Sequence, residues 1–305
     1  MTEAALPLSE QDAGRRNGFI AAALAYAMWG FLPLYLKLLA FADVREVLAQ
    51  RILWSVPAAL LAVFAMSGAR RGLAELGAAM KPRMLATLAI SACFILVNWG
   101  LYVWLVLHER VIESALAYFL APLVAVAVGT LFFGERISVA QVAALGLATA
   151  GVIAQGFALG AAPWAALALC ATWSTYAVIR KRAAVPAATG LMVETTALAP
   201  VAAALLFWTQ ADVGSIAFND GWAHATLLAV AGPVTALPLM LFAFGARRVT
   251  FTALGLLQFV APSLQFATGI AFGEPFTAMR AASFALIWLG LGVFAWDTLR
   301  RARAA

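Results

Sequence analysis

The sequence predicts an all-α integral membrane protein: ten transmembrane helices arranged as two inverted five-helix repeats around a central cavity. Three observations predict it. Of 305 residues, 65% are hydrophobic and 11% are charged, with a mean hydropathy of +0.94; a soluble fold carries about a quarter of its residues charged. The apolar residues gather in ten runs, each long enough to approach the ~20 residues that a helix needs to cross a ~30 Å hydrocarbon core. Short motifs also recur between the two halves of the chain.

The net charge of +6 comes from 20 Lys and Arg against 14 Asp and Glu. They sit in short clusters between apolar runs rather than along one basic face, which argues against a nucleic-acid partner. Arg15 and Arg16 precede an apolar stretch that is too long for a signal-peptide core and lacks a small-residue cleavage site, so they read as a cytoplasmic anchor. The spanning segments then fall near 18–39, 44–67, 84–107, 111–131, 139–157, 163–179, 187–209, 222–246, 251–272 and 279–298. A membrane barrel would need shorter segments of alternating polarity, and LAPLVAVAVGTLFF does not alternate.

Lys and Arg are in excess in cytoplasmic loops. Both tails and the second, fourth, sixth and eighth connections hold 15 of them, including Arg136, against Lys37, Arg45, Arg110 and Arg280 on the other side. Both termini are therefore expected in the cytoplasm.

The internal repeat is the strongest organisational signal. AMWGFLPLYLK at 27–37 resembles ATWSTYAVIRK at 171–181, YFLAP at 118–122 lies opposite QFVAP at 258–262, and FFGE ending at Glu135 lies opposite AFGE ending at Glu274. The expected divisions are a tail at 1–17, a first repeat at 18–157, a second at 158–298 and a tail at 299–305. An odd number of helices per repeat starts the second on the opposite membrane face. Inverted repeats meeting at the midplane are a recurrent plan of secondary transporters, since rocking one half against the other exposes a central site to each side in turn.

Ionisable residues inside a bilayer are expensive and mark function by default. Arg51 lies within EVLAQRILWS, either paired with a carboxylate such as Glu46 or Glu113 to fix helix packing, or lining the outward mouth to attract a carboxylate-bearing solute. Glu113 and Glu194 carry either structure, through the helix dipole in the case of Glu113, or proton coupling. Aromatic and amide residues crowd the expected midplane, among them Tyr35, Trp99 and Tyr176. Asn98 and Tyr102 are four apart and share a helix face. An uncharged amide deep in lipid needs a partner or a wet cavity. The expected solute-binding set is Trp29, Arg51, Trp54, Asn98, Tyr102, Tyr118, Trp173, Gln258 and Gln265. Prolines at 33, 57, 122, 200, 233, 238 and 262 predict kinks. Small residues at Ala140, Ala144 and Ala148, and at Ala282 and Gly290, suggest close contact between the fifth and tenth helices. Metalloprotease, hydrolase and nucleotide-loop motifs are absent from the sequence, so neither enzyme activity nor a cofactor or metal is expected.

The ordered motifs AYAMWGFLPLYLKLL, EVLAQRILWS, NWGLYVW, ESALAYFLAPL, FFGER, YAVIRK, TGLMVETTALAPVA, TALPLMLFA and LGLLQFVAPSLQF resemble the RarD-type branch of the EamA-containing drug/metabolite transporter superfamily over about 18–296. The resemblance implies a ten-helix permease of the bacterial inner membrane, associated by name with chloramphenicol sensitivity or resistance. One departure is Gln50, where the family commonly has His before the Arg of the second helix; Gln50 can only hydrogen-bond. The expected function is a permease that moves a small, partly apolar metabolite or drug outward by alternating access. The expected partners are that solute, the bilayer and, as a candidate, a second copy of the chain. The alternative is a membrane scaffold or sensor that does not transport.

Overall fold

The computed structural model describes residues 8–133, 138–159, 163–183, 185–249, 253–254 and 257–304. Glu135 and Arg136 lie outside them. Apart from one 3-10 turn, the regular elements among the described residues are α-helices. They are α1 (Leu8–Gly30), α2 (Leu32–Leu38), α3 (Val44–Ser67), α4 (Ala69–Ala79), α5 (Pro82–Leu107), α6 (Val111–Phe133), α7 (Val139–Leu159), α8 (Trp164–Ala183), α9 (Ala187–Val213), the turn Ala217–Asn219, α10 (Trp222–Ala229), α11 (Ala231–Ala246), α12 (Val260–Ala271) and α13 (Ala278–Ala304).

Each of the ten segments read from the sequence overlaps one of these helices or a consecutive pair. Among the described residues, six spans are long and apolar enough to cross a membrane by length and composition, or seven if α1 and α2 form one bent span. The protein is a multi-pass membrane protein. α1 and α2 meet at 41°, where Pro33 sits in the first turn of α2 and removes a backbone donor. α10 and α11 divide a further apolar stretch just before Pro233. The connection after α3 holds α4, an amphipathic helix carrying Arg70 and Arg71, which the apolar pattern did not predict. Gly68 makes that corner at φ +73°, a left-handed conformation that a Cβ disfavours.

Chain chemistry sets several ends. Asp43 caps α3, its Oδ1 accepting from the Arg45 amide at 2.8 Å. The Glu46 carboxylate accepts from the amides of Ala217 and Phe218 at 2.8 and 2.9 Å, fixing the 3-10 turn against the start of α3. Glu274 accepts from the Ile112 amide at 2.9 Å and also from that of Val111, so a residue far along the chain caps α6. These bonds satisfy helix-end donors that would otherwise be buried without partners.

Packing follows a regular scheme. The extensive helix pairs are α7 with α13, α3 with α9, α6 with α12, α1 with α11, α5 with α8, α3 with α11, α5 with α9, α6 with α8, and α1 with α12. Small residues allow the closest crossings. A Cβ on Gly290 would come within 2.8 Å of the Ala144 carbonyl oxygen, which fits the close contact expected between the fifth and tenth helices. A Cβ on Gly232 would come within 2.0 Å of the Trp54 carbonyl oxygen, so α11 touches α3 backbone to backbone. The largest buried apolar cluster joins α5, α6, α7, α8 and α13, and a second joins α3, α5, α9 and α11 beside Arg51.

Candidate functional site

The crossing of α3 and α11 at Gly232 places Thr235, one helical turn further on, opposite Arg51 of α3. The Arg51 Nε–H donates to Thr235 Oγ1 at 3.0 Å, and the Thr235 hydroxyl donates in turn to the Ala231 carbonyl at 2.8 Å. From α5, the Trp99 ring lies under the guanidinium, with 4.4 Å between Arg51 Cζ and the ring centroid. Arg51 is only 7% exposed. Its Nη1 is buried and has no hydrogen-bond partner among the described residues.

The two carboxylates that could have paired with Arg51 are engaged elsewhere. Glu46 holds the 3-10 turn. Glu113 lies 2.5 Å from Arg110 and accepts from the Ala166 amide at 3.4 Å. What surrounds Arg51 instead is phenolic: Tyr102, Tyr118 and Tyr35 lie within electrostatic range of it. Tyr35 donates to the Leu227 carbonyl at 2.7 Å, whereas the buried Tyr102 hydroxyl has no partner among the described residues. Tyr102 and Trp99 are three residues apart on α5 and so share a face.

From Tyr102 a row of rings leads away. Tyr102 and Tyr118 meet edge to face at 5.9 Å, Tyr118 and Trp173 likewise at 6.2 Å, and Trp173 and Tyr176 lie tilted at 5.8 Å. These rings come from α5, α6 and α8, whose mutual packing aligns them. Tyr118 and Trp173 are half-buried, so their faces are incompletely covered. The row ends at Glu194 of α9, which accepts from Tyr176 at 3.2 Å and from Ser91 and faces Arg180 at 3.6 Å. A Cβ on Gly190 would fall 2.0 Å from Arg180 Nη1, so the absent side chain makes the room for that guanidinium.

The expected binding set divides on this geometry. Arg51, Tyr102, Tyr118 and Trp173 come together. Asn98 lies on the same helix face as Tyr102, but its amide nitrogen bonds the Leu169 carbonyl at 2.9 Å and the Thr172 hydroxyl at 3.1 Å, tying α5 to α8. Trp54, half-exposed, stacks on Phe218 at 6.3 Å. Trp29 packs against Tyr26 and Phe242, and its carbonyl accepts from Gln265 Nε2 at 3.1 Å; Gln265 Oε1 is buried without a partner among the described residues. Gln258 is half-buried in the turn before α12, with its amide N–H bonded to the Leu254 carbonyl at 3.0 Å. Sequence reasoning placed Trp99 and Tyr176 among the crowded aromatics without assigning them to the site. It passed over Thr235, for which the only signal was a hydroxyl inside an apolar run. Arg51 is largely shielded from solvent; a cleft of about 450 Å³ beside Arg15, Arg16 and Arg248 and one of about 60 Å³ beside Glu113, Gln155 and Glu274 do not border on it.

The arrangement has relatives. Residues 16–155 match the model of the EamA-like transporter family. The chain is 40% identical to Protein RarD of Streptomyces exfoliatus, an alignment covering 95% of this chain and 91% of that one. It is 35% identical to the uncharacterized transporter YojE of Bacillus subtilis over 97% and 99% of the two chains. Identity is 32% to the chloramphenicol-sensitive protein RarD of Pseudomonas aeruginosa over 94% and 96%. One protein of known crystal structure shares the fold with a TM-score of 0.60 at 19% identity, covering 92% of this chain and 97% of that one. The names attached to these relatives point to transporters rather than enzymes. On the extent of these matches, the chain is a RarD-type member of the EamA-like transporter family.

Proposed function

We propose that the protein is a secondary transporter without enzymatic activity. It would move a small, partly apolar metabolite or drug across the bacterial inner membrane by alternating access, outward, with both termini in the cytoplasm. The observation that carries this reading is Arg51: a buried guanidinium that no described carboxylate neutralises, stacked on Trp99 and opening onto Tyr102, Tyr118 and Trp173. A charge held this way inside a bilayer is expensive unless it has work to do. Its enclosure fits a carrier caught closed around its site, which a solute reaches only when the helices move.

The ten-helix inverted repeat is part of the same reading, and the packing scheme supports it. The sequence repeat equates α1 with α8, α3 with α9, α5 with α10 and α11, α6 with α12 and α7 with α13. Exchanging each helix for its equivalent turns α1–α11 into α8–α5, α3–α11 into α9–α5 and α1–α12 into α8–α6. It leaves α3–α9, α6–α12 and α7–α13 as themselves, and all of these are among the extensive pairs. Two halves related in this way can trade conformations, which is the physical basis of alternating access.

A counterflow screen in proteoliposomes tests the function. Amino acids, metabolites and phenicol drugs are offered with and without a proton gradient, the phenicols because one relative is named for sensitivity to chloramphenicol. Wild-type protein accumulates at least one labelled solute, and Arg51→Ala does not although it purifies as a folded protein. Equal accumulation by the variant removes Arg51 from the path, and no accumulation of any solute favours a scaffold or sensor.

A further inference from the structure

We propose that the Arg51 site takes an organic monoanion, a carboxylate on an aromatic or apolar body, in preference to a neutral or cationic solute. The proposal rests on the reading that this site binds the transported solute, and it specifies that solute's charge.

Donors and acceptors at the site do not balance. Arginine supplies five N–H donors, no acceptor, and a charge that it does not lose. Thr235 accepts from Nε and Trp99 covers one face of the guanidinium, yet among the described residues Nη1 and the Tyr102 hydroxyl have no partners. Nη1 is a donor only, and the Tyr102 hydroxyl can donate as well as accept. The buried carboxylates in the spans are engaged elsewhere: Glu46 by the amides of Ala217 and Phe218, Glu113 by Arg110, and Glu194 by Ser91, Tyr176 and Arg180. Among the described residues, the missing piece has the properties of a single negative charge with at least two acceptor positions. A carboxylate matches a guanidinium fork and a phenol better than a neutral carbonyl does, because charge-assisted bonds are about twice as strong. The half-buried rings of Tyr118 and Trp173 lie beyond, where a bare inorganic ion would leave them unused and an aromatic or alkyl body would cover them.

A charge series on one carbon skeleton tests this. Purified full-length protein in detergent is titrated with 3-phenylpropionate, L-phenylalanine, phenethylamine and potassium chloride, read by tryptophan fluorescence. The acid is expected to bind at least about tenfold more tightly than the amine. That preference disappears in Arg51→Gln and survives in weakened form in Arg51→Lys. Tyr102→Phe, which keeps the ring and so preserves the packing, weakens the acid about tenfold. Equal binding of acid and amine, an acid preference that persists in Arg51→Gln, or chloride competing as strongly as the acid overturns the proposal. The transport reading fails separately: acid that is bound but never moved in liposomes leaves the anion site standing, whereas a neutral solute moved without acid binding does the reverse.

Discussion

The Arg51 guanidinium carbon sits 4.4 Å from the centre of the Trp99 ring, with the two residues on different helices. The ring face is electron-rich, so it partly compensates a cation that no described carboxylate neutralises, and it does so without filling the guanidinium's hydrogen-bonding edge. Cation–π contacts of this kind contribute about 0.5–2 kcal/mol. Trp99→Phe keeps an aromatic face and is expected to lower stability by about 1 kcal/mol. Trp99→Leu loses the face together with much of the buried volume, at about 3 kcal/mol. Thermal unfolding in detergent checks the order of the two.

The Arg51–Thr235 hydrogen bond depends on how closely α3 and α11 cross. Gly232→Ala would push a methyl group into the Trp54 carbonyl oxygen, 2.0 Å from where its Cβ must lie. Backbone cannot yield as a flexible side chain can, so the helices must separate. The expected result is a loss of about 2–3 kcal/mol in stability, accompanied by weakened solute binding at Arg51. Gly77→Ala, inside α4 where a Cβ meets nothing within 4 Å, serves as the control: solute binding stays unchanged and stability rises by up to about 1 kcal/mol.

Glu194 carries the two readings given to it from sequence, helix tie or proton carrier. Its contacts with Ser91, Tyr176 and Arg180 favour the tie. Glu194→Gln keeps most of the shape and removes the charge opposite Arg180, so it is expected to reduce stability by about 2 kcal/mol. The response of flux to a proton gradient stays as in wild type. Flux measured at equal reconstitution with and without the gradient separates the two; loss of the gradient response alone identifies a proton carrier.

Acid sensitivity should be visible at the start of α3. Hydrogen bonds from the Arg45 side chain hold the Asp43 carboxyl below its ordinary 3.8, helped by the Arg45 amide and by the charge. A carboxyl lowered in the folded state stabilises the protein above its unfolded value, and that contribution fades as pH falls through the lowered one. Wild type is therefore expected to unfold at a higher temperature than Asp43→Asn at pH 6. The gap should close below about pH 4. A gap that widens on acidification contradicts the assignment.

Much of the architecture was legible because lipid imposes a simple rule on sequence: long apolar runs become helices. The apolar spans and the close approach of Ala144 to Gly290 follow from composition and spacing alone. The bend near Pro33 follows from the chemistry of proline. α4 was missed because ARRGLAELGAA is amphipathic rather than apolar, a pattern that reads as a charged connection when the search is for spans. At the site, Arg51, Tyr102, Tyr118 and Trp173 stood out as polar or aromatic residues inside apolar runs. Partner choice did not. Asn98 bonds across to α8, and Glu46 reaches the turn at Ala217, contacts set by tertiary packing between residues 71 and 171 positions apart. Likewise, no local pattern marks Thr235 as the acceptor for Arg51.

The most direct measurement of the central claim is charge movement by the reconstituted protein on a solid-supported membrane after a concentration jump of 3-phenylpropionate. Because no described carboxylate balances Arg51, each acid molecule moved should carry one negative charge. Wild type should give a current that follows the acid gradient, and Arg51→Gln should give none. Acid flux without current, or the same current from both proteins, would contradict a carrier built around an uncompensated Arg51.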